Sequence, residues 1–158
     1  MHSTRIDLSA EKREAAIRLL SDRLADLIDL QLQTKQAHWN VKGPNFIAIH
    51  ELFDDIAEDL EEHVDTVAER ITAFGGTAEG TVGAVAKRTS LAPYPLNISS
   101  SRDHLDALST AVSKVGKVVR AAIDQADEIG DKGTSDLFTG ISRDLDKKLW
   151  FLESHLQG

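Results

Sequence analysis

Five residues have the types and spacing that could do chemistry: His38, His50, Asp54, Asp65 and Glu69. Imidazole nitrogen combined with carboxylate oxygen suits iron and its neighbours among the divalent first-row metals. His50 and Asp54 stand four residues apart, and so do Asp65 and Glu69. On a helix such pairs lie one above the other and can share a cation. His38 ends the preceding helical stretch, across a short loop containing Lys42-Gly43-Pro44, so an antiparallel hairpin brings it toward His50. His50, Asp54, Ala57, Glu61, Asp65, Ala68 and Glu69 form one stripe, roughly 120° around the helix from its apolar stripe. The same charges also fit an ordinary solvated face, which a helix usually turns away from its core.

Helix geometry limits how the five could meet. His50 and Asp65 are 15 residues apart, about 22 Å along a straight helix. They cannot bind one ion within a single chain. Two copies of this helix packed antiparallel about a twofold axis near Asp59 and Leu60 would bring them together. His38, His50 and Asp54 of one chain would then face Asp65 and Glu69 of the other, and symmetry would make two equivalent sites. Ala57 and Ala68 on the stripe permit close approach.

The elements that must position these residues follow from periodicity and breakpoints. The chain has 158 residues, 41% of them apolar, which suits one domain over residues 1–158 with a short N-terminal tail at 1–8. The first helix is predicted from Ser9, its N-cap, to His38, with Ile17, Leu20, Leu24, Leu27 and Ile28 inward. The second starts near Asn45 or Phe46 and stops at Gly75-Gly76, with Ile49, Phe53, Ile56, Leu60, Val64, Val67, Ile71 and Phe74 inward. Two more are predicted over Ser101–Glu128 and Thr134–Leu156. Short loops join the first to the second and the third to the fourth, so each pair is antiparallel. About 25 residues, from Gly75 to Ser100, separate the two pairs. At ~3.3 Å per residue they can cross a ~45 Å helix. The expected fold is all-α, a ferritin-like four-helix bundle with one long crossover, and a short helix at Thr81–Lys87 fits inside it.

Composition removes several function classes. There is no cysteine, which excludes disulfides, thiolate nucleophiles and iron–sulfur clusters. No apolar run approaches the ~20 residues of a membrane span. Residues 1–9 lack the apolar core of a secretory signal, so a cytoplasmic location is expected. The formal charge of −8 argues against coating nucleic acid by bulk positive charge. Glycines 75, 76, 80 and 83 follow no strand and make no phosphate loop.

The run Lys35-Gln36-Ala37-His38-Trp39-Asn40-Val41-Lys42-Gly43-Pro44-Asn45-Phe46 resembles the signature of the Dps proteins, the DNA-binding proteins from starved cells. So do His50-Glu51, Asp54, His63 to Arg70, and the C-terminal run Ser142 to Ser154. The likeness runs from about residue 10 to the end. It implies a hollow dodecamer with di-iron ferroxidase centres at its twofold interfaces. It implies oxidation of ferrous iron, preferentially by hydrogen peroxide, and storage of ferric mineral inside, protecting the cell and its DNA from oxidative damage. The family's ligands carry over to His38, His50, Asp54, Asp65 and Glu69. Its tryptophan beside the centre maps to Trp39, either a trap for an oxidising equivalent or a packed aromatic anchoring the turn. Ferritin proper, with Glu-x-x-His motifs, is disfavoured because no histidine here has a glutamate three residues before it.

Iron must enter such a shell. Asp124, Asp127, Glu128 and Asp131 cluster at the end of the third long helix. Repeated about a threefold axis they would form an acidic iron inlet; alone they are a solvated helix end. DNA contact has weaker support. Residues 1–10 hold one basic residue, Arg5, and twelve chains at −8 would carry −96. A local patch around Lys12 and Arg13 is the remaining route to DNA, and nucleoid association would follow from it. Two other functions fit the sequence: a DNA-compacting stress protein, or a shell that binds zinc or another divalent ion without turnover. His63 reads as an interface or supporting residue, and His2, His104 and His155 as surface groups.

Overall fold

In the computed structural model, which describes residues 1–157, five helices follow in order and no strand forms among those residues. They are α1 (Ala10–Asn40), α2 (Phe46–Ala73), α3 (Val82–Arg88), α4 (Ser101–Ile129) and α5 (Lys132–Ser154). The caps explain the boundaries. Ser9 accepts the Lys12 N–H before α1, and Ser100 accepts the Asp103 N–H before α4, each satisfying a backbone donor that the first turn leaves free. Gly130 ends α4 at φ +82, where a Cβ would be strained.

The last helix differs from expectation. It begins at Lys132, two residues early, because Asp131 is its N-cap and accepts the Thr134 N–H at 3.2 Å. That role removes Asp131 from the predicted acidic cluster. Its carboxylate is buried, takes a hydrogen bond from the Thr134 hydroxyl, and pairs with Arg70 of α2 at 2.8 Å. Asp124, Asp127 and Glu128 remain exposed.

The hairpin α1–α2 packs on the hairpin α4–α5, chiefly through α1 against α4. Leu20, Leu24, Leu27, Phe53, Ile56, Leu60, Leu108, Phe138 and Leu145 fill the shared core. Between the hairpins the crossover runs along α1. The Ser90 N–H donates to the buried Asp26 at 2.7 Å, Thr89 to Asp29 at 2.8 Å, and Gln33 to the Ala92 carbonyl at 3.1 Å. At its far end, Lys42 of the α1–α2 loop bridges Ser99 and Ser101 through backbone hydrogen bonds of 2.9 and 3.0 Å. The loop beside His38 and His50 is thereby tied to the start of α4.

One further expectation changes. His104 is not a surface group: it is buried, with Nδ1 2.7 Å from the Tyr94 hydroxyl, because the crossover folds down over the first turn of α4. Burial lowers its pKa. The N-terminal tail is anchored to the bundle. The His2 N–H donates to the Gly75 carbonyl at 2.7 Å, and Gly75 sits at φ +87, where an added Cβ would lie 2.2 Å from the His2 carbonyl oxygen.

Candidate metal centre

His38 lies in the last turn of α1 and His50 in the second turn of α2. The tight loop between them uses Gly43 at φ +118 and Asn45 at φ +61, residue types that tolerate this region. The hairpin it closes sets two reciprocal contacts. His38 Nδ1 is 2.8 Å from the His50 carbonyl oxygen, and His50 Nδ1 is 2.8 Å from the His38 carbonyl oxygen. A carbonyl only accepts, so each Nδ1 must carry its proton and donate. An imidazole whose single proton sits on Nδ1 leaves Nε2 bare, the atom a metal ion needs. The rings stack with centroids 3.8 Å apart, which fixes their planes as well as their tautomers.

Asp54, one turn beyond His50, places Oδ1 3.8 Å from His38 Nε2. A cation with bonds of about 2.1 Å to each atom can span that gap. The Lys35 ammonium touches the same oxygen at 2.5 Å. Its hydrogen bond holds the Asp54 carboxyl below the usual carboxylate range, so the group is ionised at neutral pH. Lys35 also stands 6.0 Å from the centroid of the Trp39 ring. Trp39 is 66% exposed, which argues against the reading of it as an aromatic packed within its own chain.

Asp65 and Glu69 lie on the same helix and point outward, exposed. Asp65 is 11 residues beyond Asp54, about 16 Å along the axis. Among the described residues, no group of three or more histidine, aspartate or glutamate side chains in one chain could hold a metal ion. Asp65 and Glu69 are therefore not brought to the histidine pair within the subunit. Between the two sets, Ala57 is buried and Ala68 half-buried. On α1, Leu32 and Trp39 share a face with Lys35 by helical spacing, and Leu32 is 53% exposed.

His63 is drawn into the subunit. Its Nε2 is 2.8 Å from Asp144 of α5, and Lys148, ion-paired with Asp59, sits beside that carboxylate at 3.6 Å. In the acidic cluster, Lys132 holds Asp127 below the usual carboxylate range at 2.7 Å, and Asp124 and Glu128 flank it. Lys35 is not among the five residues picked out by type and spacing. Its signal was there: a lysine three residues before His38 and four before Trp39 shares their helix face.

Comparison with known proteins agrees with this architecture. Residues 17–158 match the family model described as Ferritin, a ferritin-like domain. The chain is 51% identical over 156 residues to the DNA protection during starvation protein of Agrobacterium fabrum, covering 99% of this chain and 96% of that one. It superposes on a tetragonal-form structure of Mycobacterium smegmatis Dps with a TM-score of 0.94 and 34% identity, covering 99% of this chain and 96% of that one. It also superposes on Vibrio cholerae O1 Dps, described as one of the ferritin-like diiron-carboxylate proteins. There the TM-score is 0.91 and the identity 25%, over 99% of this chain and 98% of that one.

Proposed function

The chain belongs to the Dps family of ferritin-like proteins, and we propose that it oxidises ferrous iron with hydrogen peroxide and stores the ferric product inside a homododecameric shell. The observation that carries this reading is the His38–His50 pair. Reciprocal carbonyl hydrogen bonds free both Nε2 atoms beside the ionised Asp54. Asp65 and Glu69 of a second copy would complete the centre across a twofold axis, and the exposed Leu32 and Trp39 would lie against that copy.

Iron here is the substrate. Two ferrous ions at one centre supply two electrons, which with two protons reduce one hydrogen peroxide to two waters. Delivering the electrons together avoids release of hydroxyl radical. The chain's own part is position and charge. The two imidazoles hold neutral nitrogen toward the metal, and the carboxylates offset the added charge as each ion becomes ferric. Trp39 stands beside the centre as a sink for a stray oxidising equivalent. Asp124, Asp127 and Glu128, repeated about a threefold axis, would draw ferrous ions in.

Protection of DNA is then chemical, by removal of ferrous iron and peroxide. The chain is acidic and its N-terminal segment is held at Gly75, which leaves direct DNA contact with little to act through. Stopped-flow absorbance of ferrous oxidation by peroxide tests the central claim. Wild type should be fast, and Asp65→Ala should fall to the protein-free rate. A wild type that matches the protein-free control would leave a shell that binds zinc or another divalent ion without turnover.

A further inference from the structure

We propose that Lys35 is a built-in competitor for the metal centre, an ammonium that an incoming divalent ion must displace from Asp54. The inference rests on the reading of the centre given above. The oxygen that Lys35 contacts at 2.5 Å is the same Asp54 Oδ1 that lies 3.8 Å from His38 Nε2. A cation bridging that nitrogen and that oxygen would need the space and the lone pairs the ammonium uses. A lysine at this place therefore does two things. It neutralises Asp54 inside the hairpin, and it repels a doubly charged ion at close range.

The geometry also gives the displaced ammonium a place to go. Lys35 already lies over Trp39, one helical turn along the same face, at 6.0 Å from the ring centroid. A small swing of the flexible four-carbon stem trades the carboxylate for the aromatic face. Both partners of the ion pair are about one-third exposed, at 32% and 39%, so the pair is of the modest, salt-sensitive kind. That suits a competitor that must yield to iron. A lysine holding the fold together would be buried, as Lys148 is.

The test is calorimetric titration of the assembled protein with zinc, a redox-silent divalent probe. Lys35→Met should bind zinc on the order of tenfold more tightly at low salt, because competition and repulsion are both gone. The gain should shrink at high ionic strength, where charges this exposed are screened. Lys35→Arg keeps the charge and should stay close to wild type. Equal or weaker binding by Lys35→Met, or an equal gain in Lys35→Arg, would overturn the proposal. Each titration is repeated with Asp65→Ala in place. If zinc binding is indifferent to Asp65 in both backgrounds, the ions are not at the twofold centre, and the underlying reading fails along with the proposal. If it depends on Asp65 yet ignores Lys35, only the proposal fails.

Discussion

A mixing experiment tests whether the centre is shared between subunits, and its outcome can be worked out from helix geometry. His50 and Asp65 lie on one helix, 15 residues apart, so about 22 Å separates them within a chain. If each centre takes the His50 side from one chain and the Asp65 side from its twofold partner, His50→Ala and Asp65→Ala should each be inactive alone. In shells reassembled from equal amounts of both, half of the twofold pairs are mixed. A mixed pair carries one doubly broken centre and one intact centre. About one quarter of all centres should therefore be whole, and the initial rate of ferrous oxidation should recover to about 25% of wild type. The control mixes His50→Ala with Asp54→Ala. Both residues belong to the same half of the centre, so every mixed pair is broken twice and no recovery is expected. Stopped-flow absorbance reads the rate, and mass spectrometry of the shells checks the mixing ratio. Recovery in the control, or none in the first mixture at a verified equal ratio, would refute the shared centre.

Three other outcomes are expected. Asp131→Ala should lower stability by about 2–3 kcal/mol, by removing the α5 cap and stranding Arg70 and Thr134. Asp131→Asn, which can still cap, should cost about half as much. Denaturation at fixed protein concentration reads both, since assembly shifts apparent stability; equal loss in the two variants would contradict the capping role. Gly75→Ala should release the N-terminal segment, because φ +87 and the His2 carbonyl both oppose a Cβ; faster amide exchange at residues 2–8 is the readout, and unchanged protection there would count against it. The depressed pKa of buried His104 has a definite sign. The unfolded chain takes up a proton near pH 6.5 while the folded one resists, so stability falls as pH drops below that value. His104→Gln should flatten the decline between pH 7 and 5, and an unchanged slope would assign it to other groups.

Much of this molecule is legible in the sequence because its signals are local. Ser9 sits one residue before α1 and Ser100 one before α4, and Gly130 one after α4, where helix ends need them. The long crossover follows from the spacing of glycines and prolines alone. What the sequence concealed depends on partners far along the chain. Asp131 reads as one more acid beside Asp124, Asp127 and Glu128 until Arg70, 61 residues away, turns it inward. His104 reads as a surface group until the crossover closes Tyr94 over it. The His38–His50 proximity was legible, since a tight loop implies it. The exchange of carbonyl hydrogen bonds was not, because it depends on ring orientation. Asp65 and Glu69 are a different case. Their spacing points to a second copy, and one chain cannot carry the contact.

The hydrogen-bonded histidine pair has a consequence for the order of events. His38 and His50 are only 12 residues apart, and a loop of that size closes in about 10–100 ns. The nitrogen-rich half of the centre thus rests on contacts that are local in the sequence, whereas the start of α4 must find the α1–α2 loop from much farther along the chain. Its ring orientations are set by contacts within a single hairpin and need no second chain. On the function proposed above, pairing then has only to bring Asp65 and Glu69 of the next chain to rings that are already oriented.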